Sequence, residues 1–143
     1  MHEKSHHRDN EQRIAEIAAE AWQMEISKAP PLCTVDGCFF KGPKPFAFFE
    51  CKKRNYKLRN LADVWIDKKK LTKAFLGAKE AGISLVLLFE FDDGVFFCPI
   101  KTQPDFKTKF DGPTKKRDAH DVDEVFLIPQ ANWRKVAPVL SNS

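Results

Sequence analysis

The chain has 143 residues, 43% of them apolar, and its 24 Lys and Arg outweigh 20 Asp and Glu for a formal charge of +4. That length suits one domain with a core that needs no staples. No apolar run approaches the roughly 18 residues that cross a bilayer, and the His-rich residues 1–10 lack the apolar segment of a signal peptide, so a cytoplasmic protein is expected.

Residues 1–10 read as a flexible polar tail, residues 11–136 as the folded domain and residues 137–143 as a C-terminal tail. A first helix is expected over residues 11–28, capped by Asn10, with Ile14, Ala18, Ala21 and Trp22 as its apolar stripe and Ile17 at the edge. Glu11 falls on that stripe in the first turn, while Glu20 is opposite and Glu16 well off it. It is the acid aimed inward, either complementing the helix N-terminus or serving a site.

Pro30 and Pro31 should end the helix, and residues 32–35 alternate as a short strand leading to Asp36-Gly37. Beyond Cys38-Phe39-Phe40, a loop over residues 41–45 leads into Phe46-Ala47-Phe48-Phe49-Glu50-Cys51-Lys52-Lys53-Arg54, an apolar strand that ends in an acid, a thiol and three cations. Alternation places Phe46, Phe48, Glu50 and Lys52 on one face. A chain with 9 Glu and 18 Lys should hold about one Glu-x-Lys triplet by chance, so its surroundings must carry the reading. A hairpin centred on Pro43 opposes Phe40 with Phe46, Cys38 with Phe48 and Asp36 with Glu50. Two carboxylates side by side repel, and a divalent cation would use both as oxygen ligands; an ordinary Glu50–Lys52 ion pair is the alternative.

A second helix is expected over residues 67–81, burying Leu71, Ala74, Phe75 and Ala78 and stopping at Gly82. On its wheel Lys68 lies nearest the buried side, Lys70 at its edge, and Lys69 and Lys73 outward. Residues 84–91 are apolar on both faces, as a central strand would be. Asp93-Gly94 should turn the chain into residues 95–98, an apolar strand that could offer a dimer edge. Residues 100–119, with six Lys or Arg, read as a long loop; a last strand over residues 124–128 stops at Pro129, and Trp133 packs a terminal turn.

Cys33, Cys38, Cys51 and Cys98 form no Cys-x-x-Cys pair and lie far from His2, His6, His7 and His120, so packed thiols are expected in preference to zinc. Residues 50–73 hold nine cations and three acids, a balance of +6 that leaves −2 for the rest. Such a segment suits either a phosphate-backbone partner or a solvated charged face.

Glu11 on the first helix, Asp36 at a strand entrance and Glu50-Cys51-Lys52 at a strand exit resemble the PD-(D/E)XK nuclease superfamily, in particular its archaeal Holliday-junction-resolvase-like branch and small phage endonucleases. The resemblance spans residues 11–100, and residues 117–129 also look like phage members. Val35 stands where the superfamily commonly has Pro. A lysine must replace the usual polar residue of the second helix, with Lys70 favoured by the resemblance and Lys68 by the wheel.

The resemblance implies an α/β single domain with a central mixed four- to five-stranded sheet flanked by helices, a restriction-endonuclease-like core. It implies a Mg²⁺-dependent endodeoxyribonuclease in which Mn²⁺ can substitute. Asp36, Glu50 and the Cys51 backbone carbonyl would hold the metal, Lys52 would orient the attacking water, and Glu11 would touch the metal's water shell or a second metal. Lys53, Arg54, Lys57, Lys68 and Lys70 would hold flanking phosphates. Asp118, Asp121 and Asp123 read as loop and strand-entry residues. The expected partner is DNA, branched or junction-like, in replication, recombination or repair, within the host cytoplasm if the protein is phage-encoded. Junction resolution would need a homodimer, and neither membrane nor small-molecule cofactor is expected. The alternatives are a catalytically silent nucleic-acid-binding module of the same fold and a structural protein with a surface ion pair. A binding module gains nothing from clustering acids beside phosphates, which favours the enzyme.

Overall fold

A computed structural model describes residues 2–28, 35–111 and 123–137. Pro30, Pro31 and residues 32–34 of the strand expected at 32–35, Cys33 among them, lie outside the described residues, as do Asp118, His120, Asp121 and residues 138–143.

The architecture is built around β5 (Ser84–Phe91), whose Leu85 to Phe89 run is buried on both faces. It lies parallel to β3 (Lys44–Lys53) and antiparallel to β6 (Gly94–Ile100). With β1 (Glu25–Lys28), β2 (Gly37–Lys41) and β9 (Arg134–Lys135), these strands form a six-stranded mixed sheet in the order β1-β2-β3-β5-β6-β9. A parallel pair requires a crossover, which β4 (Asp63–Asp67) and α2 (Lys68–Ala81) supply. β4 also pairs with β8 (Asp123–Pro129), and β8 with β7 (Lys107–Asp111), as a small second sheet.

The α/β class and the mixed sheet flanked by helices are as expected; the sheet has six strands because β1 and β9 extend its edges. Helix α1 runs His2–Trp22, so it starts nine residues before the expected residue 11. It ends earlier than expected because Gln23 turns left-handed (φ 54°) and the Met24 N–H closes on the Ala19 carbonyl at 2.9 Å. The freed residues Glu25–Lys28 pair with β2. The first hairpin turns at Gly42-Pro43 (Lys41 opposite Lys44), and a bulge between Phe39 and Phe40 sets Phe40 opposite Pro45 instead of Phe46. Cys38 does face Phe48. The second hairpin turns at Asp92-Asp93, one residue earlier than expected, with Phe91 opposite Gly94. Part of the expected 100–119 loop is strand β7.

Helix α2 follows its sequence signals closely. Asp67 is the N-cap, accepting the Lys70 N–H at 3.0 Å, Gly82 is the left-handed C-cap (φ 75°), and Leu71, Ala74, Phe75 and Ala78 are buried. These side chains pack with Leu85, Leu87, Phe89, Val64, Phe126 and Trp133 on one side of the main sheet. On the other side Ile14, Ala15, Ala18 and Ala19 of α1 pack on Phe39, Ala47, Phe49, Cys51, Val86 and Leu88. Cys51 and Cys98 are buried free thiols, and the Cys51 thiol faces the α1 core as expected.

Candidate active site

Period-two alternation along β3 divides its C-terminal end between the two layers. Phe49 and Cys51 turn toward α1, and Glu50 and Lys52 turn toward α2. The parallel register sets Glu50 beside Leu87 and Lys52 beside Phe89. The packed stripe of α2 begins at Leu71, so its first turn leaves room over this end of the strand. The result is a cleft of about 130 Å³ lined by Glu50, Lys52, Arg54, Ile66, Asp67, Lys70, Leu71, Leu87 and Phe89.

Asp36 enters this end of the sheet from the neighbouring strand. Its N–H donates to the Phe49 carbonyl at 2.9 Å, and the Cys51 N–H donates to its Oδ2 at 2.7 Å. The carboxylate therefore takes up the edge of β3 where β2 has ended. Gly37 makes the placement possible: a Cβ there would lie 2.4 Å from the Phe49 ring and 2.6 Å from the Ser27 carbonyl oxygen, so only glycine lets β1, β2 and β3 close up behind Asp36.

The electrostatics couple five of the sequence candidates. Burial pushes the Glu50 carboxyl up to about 8, reinforced by the charge of Asp36, opposed by Lys52, raised further by Glu11 and lowered by Lys70. Burial also raises Asp36, against the Cys51 hydrogen bond and the charges of Lys52 and Lys70. Glu11 is half-buried on α1, and its charge is felt at both Glu50 and Cys51. Two half-buried carboxyls, one of them raised by the charge of the other, are oxygen donors of the kind a hard divalent cation takes.

Among the described residues no group of three or more His, Cys, Asp or Glu side chains is placed to hold a metal. A cation would therefore rest on the Asp36 and Glu50 carboxylates, main-chain oxygen and water. The donor chemistry fits magnesium, which keeps several of its waters.

The flanking cations divide. Arg54 lines the cleft with its guanidinium 5.3 Å from the Phe89 ring centroid, and Lys70 lines it from α2. Lys57 is half-buried in the loop after β3. Lys68 is drawn to the small sheet, pairing with Glu124 at 3.4 Å and lying over the Phe126 ring. Lys53, on the α1 face, pairs with Glu90 at 3.4 Å, where Arg13 also makes a two-pronged bond at 2.6 and 2.8 Å. The Asp67, Leu87 and Phe89 walls of the cleft were not among the sequence candidates. The cap position of Asp67 and the alternation of β5 were the signals that could have found them.

A mixed sheet with a parallel β3/β5 pair flanked by helices, with an acid at one strand's entrance and Glu-x-Lys at the next strand's exit, is the architecture of the restriction-endonuclease-like fold class. The family profile described as "Phage putative PDDEXK endonuclease" matches residues 1–136, and the chain belongs to that family. No curated protein matches the chain. None of the described helices is long and apolar enough to cross a membrane.

Proposed function

We propose that this nuclease is a Mg²⁺-dependent endodeoxyribonuclease selective for branched or junction-like DNA, acting in replication, recombination or repair within the host cytoplasm. The observation that carries the reading is the Glu50 carboxyl, raised to about 8 beside Asp36, with Lys52 next to it in an open cleft. A structural ion pair has no use for a second half-buried carboxylate whose charge opposes the ionisation of Glu50.

Asp36 and Glu50 would hold Mg²⁺ with the Cys51 carbonyl, and Glu11 would act through the metal's water shell. When bound, the cation supplies charge neutralisation at the phosphate and a water of lowered pKa. Lys52 orients that water and stabilises the charge that builds on the phosphate oxygens. Lys70 and Arg54 grip the flanking phosphates from the two walls of the cleft, giving affinity without reading sequence. Lys57, Lys53 and Lys68 lie further along the same basic segment, the last two already engaged with Glu90 and Glu124. Resolving a junction takes two sites on two strands, so that activity would come with a homodimer. Mn²⁺ should substitute for Mg²⁺.

Incubation with supercoiled, branched and single-stranded DNA, in Mg²⁺ or EDTA, tests the proposal. Mg²⁺-dependent cleavage by the wild type should fall by roughly a thousandfold or more in Glu50→Ala. If wild type and variant bind DNA and both leave it intact, the protein is a silent binding module; if neither binds, the role is structural.

A further inference from the structure

Beside the cleft, the segment that leaves β3 is fixed in an unusual way for a polar loop. Its main chain is held at residues 54, 56, 58, 59 and 61. The Arg54 N–H donates to the Glu90 carbonyl at 2.8 Å, and the Asp92 N–H donates to the Tyr56 carbonyl at 2.9 Å. The two oxygens of Asp93 accept the N–H groups of Leu58 at 2.9 Å and Arg59 at 3.2 Å. From the other side, Gln130 Nε2 donates to the carbonyls of Leu58 at 3.1 Å and Leu61 at 2.8 Å. Leu58, 3% exposed, plugs the loop into the α2-side core.

What the clamp presents is Arg54, Tyr56, Lys57 and Arg59. Tyr56 is 41% exposed, yet its ring lies 6.0 Å from Phe91, which packs in turn tilted against Phe89 and edge-to-face against Trp133. It is the outermost ring of an aromatic series rooted in the core, and it is the chain's single tyrosine among thirteen Phe. Arg54, two residues before it, lines the cleft where Glu50 and Lys52 stand. A rigid exposed ring interleaved with cations is the arrangement that stacks an unpaired base while the cations hold its phosphates. In a continuous duplex, neighbouring base pairs cover the base faces, and the ring has nothing to stack on.

Resting on the nuclease reading above, we infer that Tyr56 stacks an unpaired base of the DNA strand next to the cleft, and that Asp93 and Gln130 position the loop for it. The substrate is thereby DNA with a single-stranded stretch beside the cut, held by Arg59 and Lys57 on its phosphates.

Binding measured in EDTA reads this contact without chemistry. Two labelled DNAs serve, a continuous duplex and the same duplex with a short single-stranded gap holding 2-aminopurine. Tyr56→Ala should weaken binding of the gapped DNA roughly tenfold or more and leave the continuous duplex within about twofold. Tyr56→Phe should bind both as the wild type does, and 2-aminopurine quenching should be lost only in the alanine variant. Equal weakening on both DNAs, no change on either, or no DNA binding by the wild type would overturn the inference. Plasmid cleavage is scored separately. Unchanged binding by Tyr56→Ala with intact Mg²⁺-dependent cutting removes the stacking contact alone, whereas selective weakening without cutting by the wild type removes the nuclease reading alone.

Discussion

The two faces of one strand lie in opposite environments. On the α1 side of β3, Phe49 and Cys51 are 2% and 0% exposed among alanines and leucines; on the α2 side, Glu50 and Lys52 are half-buried at an open cleft. Both faces follow from the same alternation, and what separates them is the helix above. α1 lays Ile14, Ala15, Ala18 and Ala19 flat on the sheet, small side chains that let it approach closely. α2 makes its close contact from Leu71 onward, and its first turn stands over the sheet with Asp67 and Lys70 facing the gap. A site arises where packing stops short and the strand still carries charge.

The largest test of that contrast is Lys52→Ala, which removes a cation from the open face only. DNA cleavage should drop by roughly a hundredfold or more while the thermal midpoint stays near that of the wild type. A similar loss of folding and activity together would mean that Lys52 belongs to the packing.

Next comes the pH dependence of Glu50. Its carboxyl in the folded protein is raised to about 8, above the usual 4.5, so between those values the folded state holds a proton that the unfolded state has released. Stability of the metal-free protein should therefore fall as pH rises from about 4.5 to 8 and level off above. Each pK unit corresponds to about 1.4 kcal/mol, and with water reaching the cleft the whole decline attributable to Glu50 should be roughly 3 kcal/mol. Glu50→Gln should flatten it, as thermal melts in EDTA between pH 5 and 9 would show; parallel curves for the two proteins would contradict the assignment.

On the closed face, Cys51→Ala should leave cleavage unchanged and cost about 1 to 2 kcal/mol in chemical denaturation, since only packed volume is lost. A collapse of activity would show that the thiol reaches the site.

The smallest effect belongs to the ion pair between Arg13 and Glu90 on the α1 side. Arg13 holds the Glu90 carboxyl below its usual range, so the pair's contribution is complete above pH 4.5 and fades as pH drops through the lowered value. Because Arg13 is 44% exposed on its side chain, Arg13→Ala should cost no more than about 1 kcal/mol at pH 7. The difference should vanish in strong acid.

Much of this arrangement is legible in the amino-acid order. Asp67 and Gly82 bracket α2, the two-sided apolar run marks β5, and the change from Phe48-Phe49 to Glu50-Cys51-Lys52 marks where a strand leaves the core. Other parts depend on partners distant in sequence. Glu25-Ile26-Ser27-Lys28 continues the polar-apolar pattern of α1 and becomes β1 only because β2 offers an edge. Lys107–Asp111 has no apolar face and becomes β7 by pairing with β8. The helical wheel correctly places Lys68 nearest the buried side; Glu124 and Phe126 of β8 occupy that side, and the cleft opens toward Lys70.

The parallel pairing of β3 with β5 joins Ala47 to Ser84 across the whole crossover. Until that long loop closes, Glu50 on β3 and Lys70 on α2 lie on unconnected pieces of chain, and the site carboxylates are bathed in water. Loop closure of this kind is a slow event in folding. The burial that raises the Glu50 carboxyl therefore arrives only when β5 and the first turn of α2 come to stand over the end of β3, so the site's electrostatics are a property of the closed crossover and not of the hairpin that carries Asp36 and Glu50.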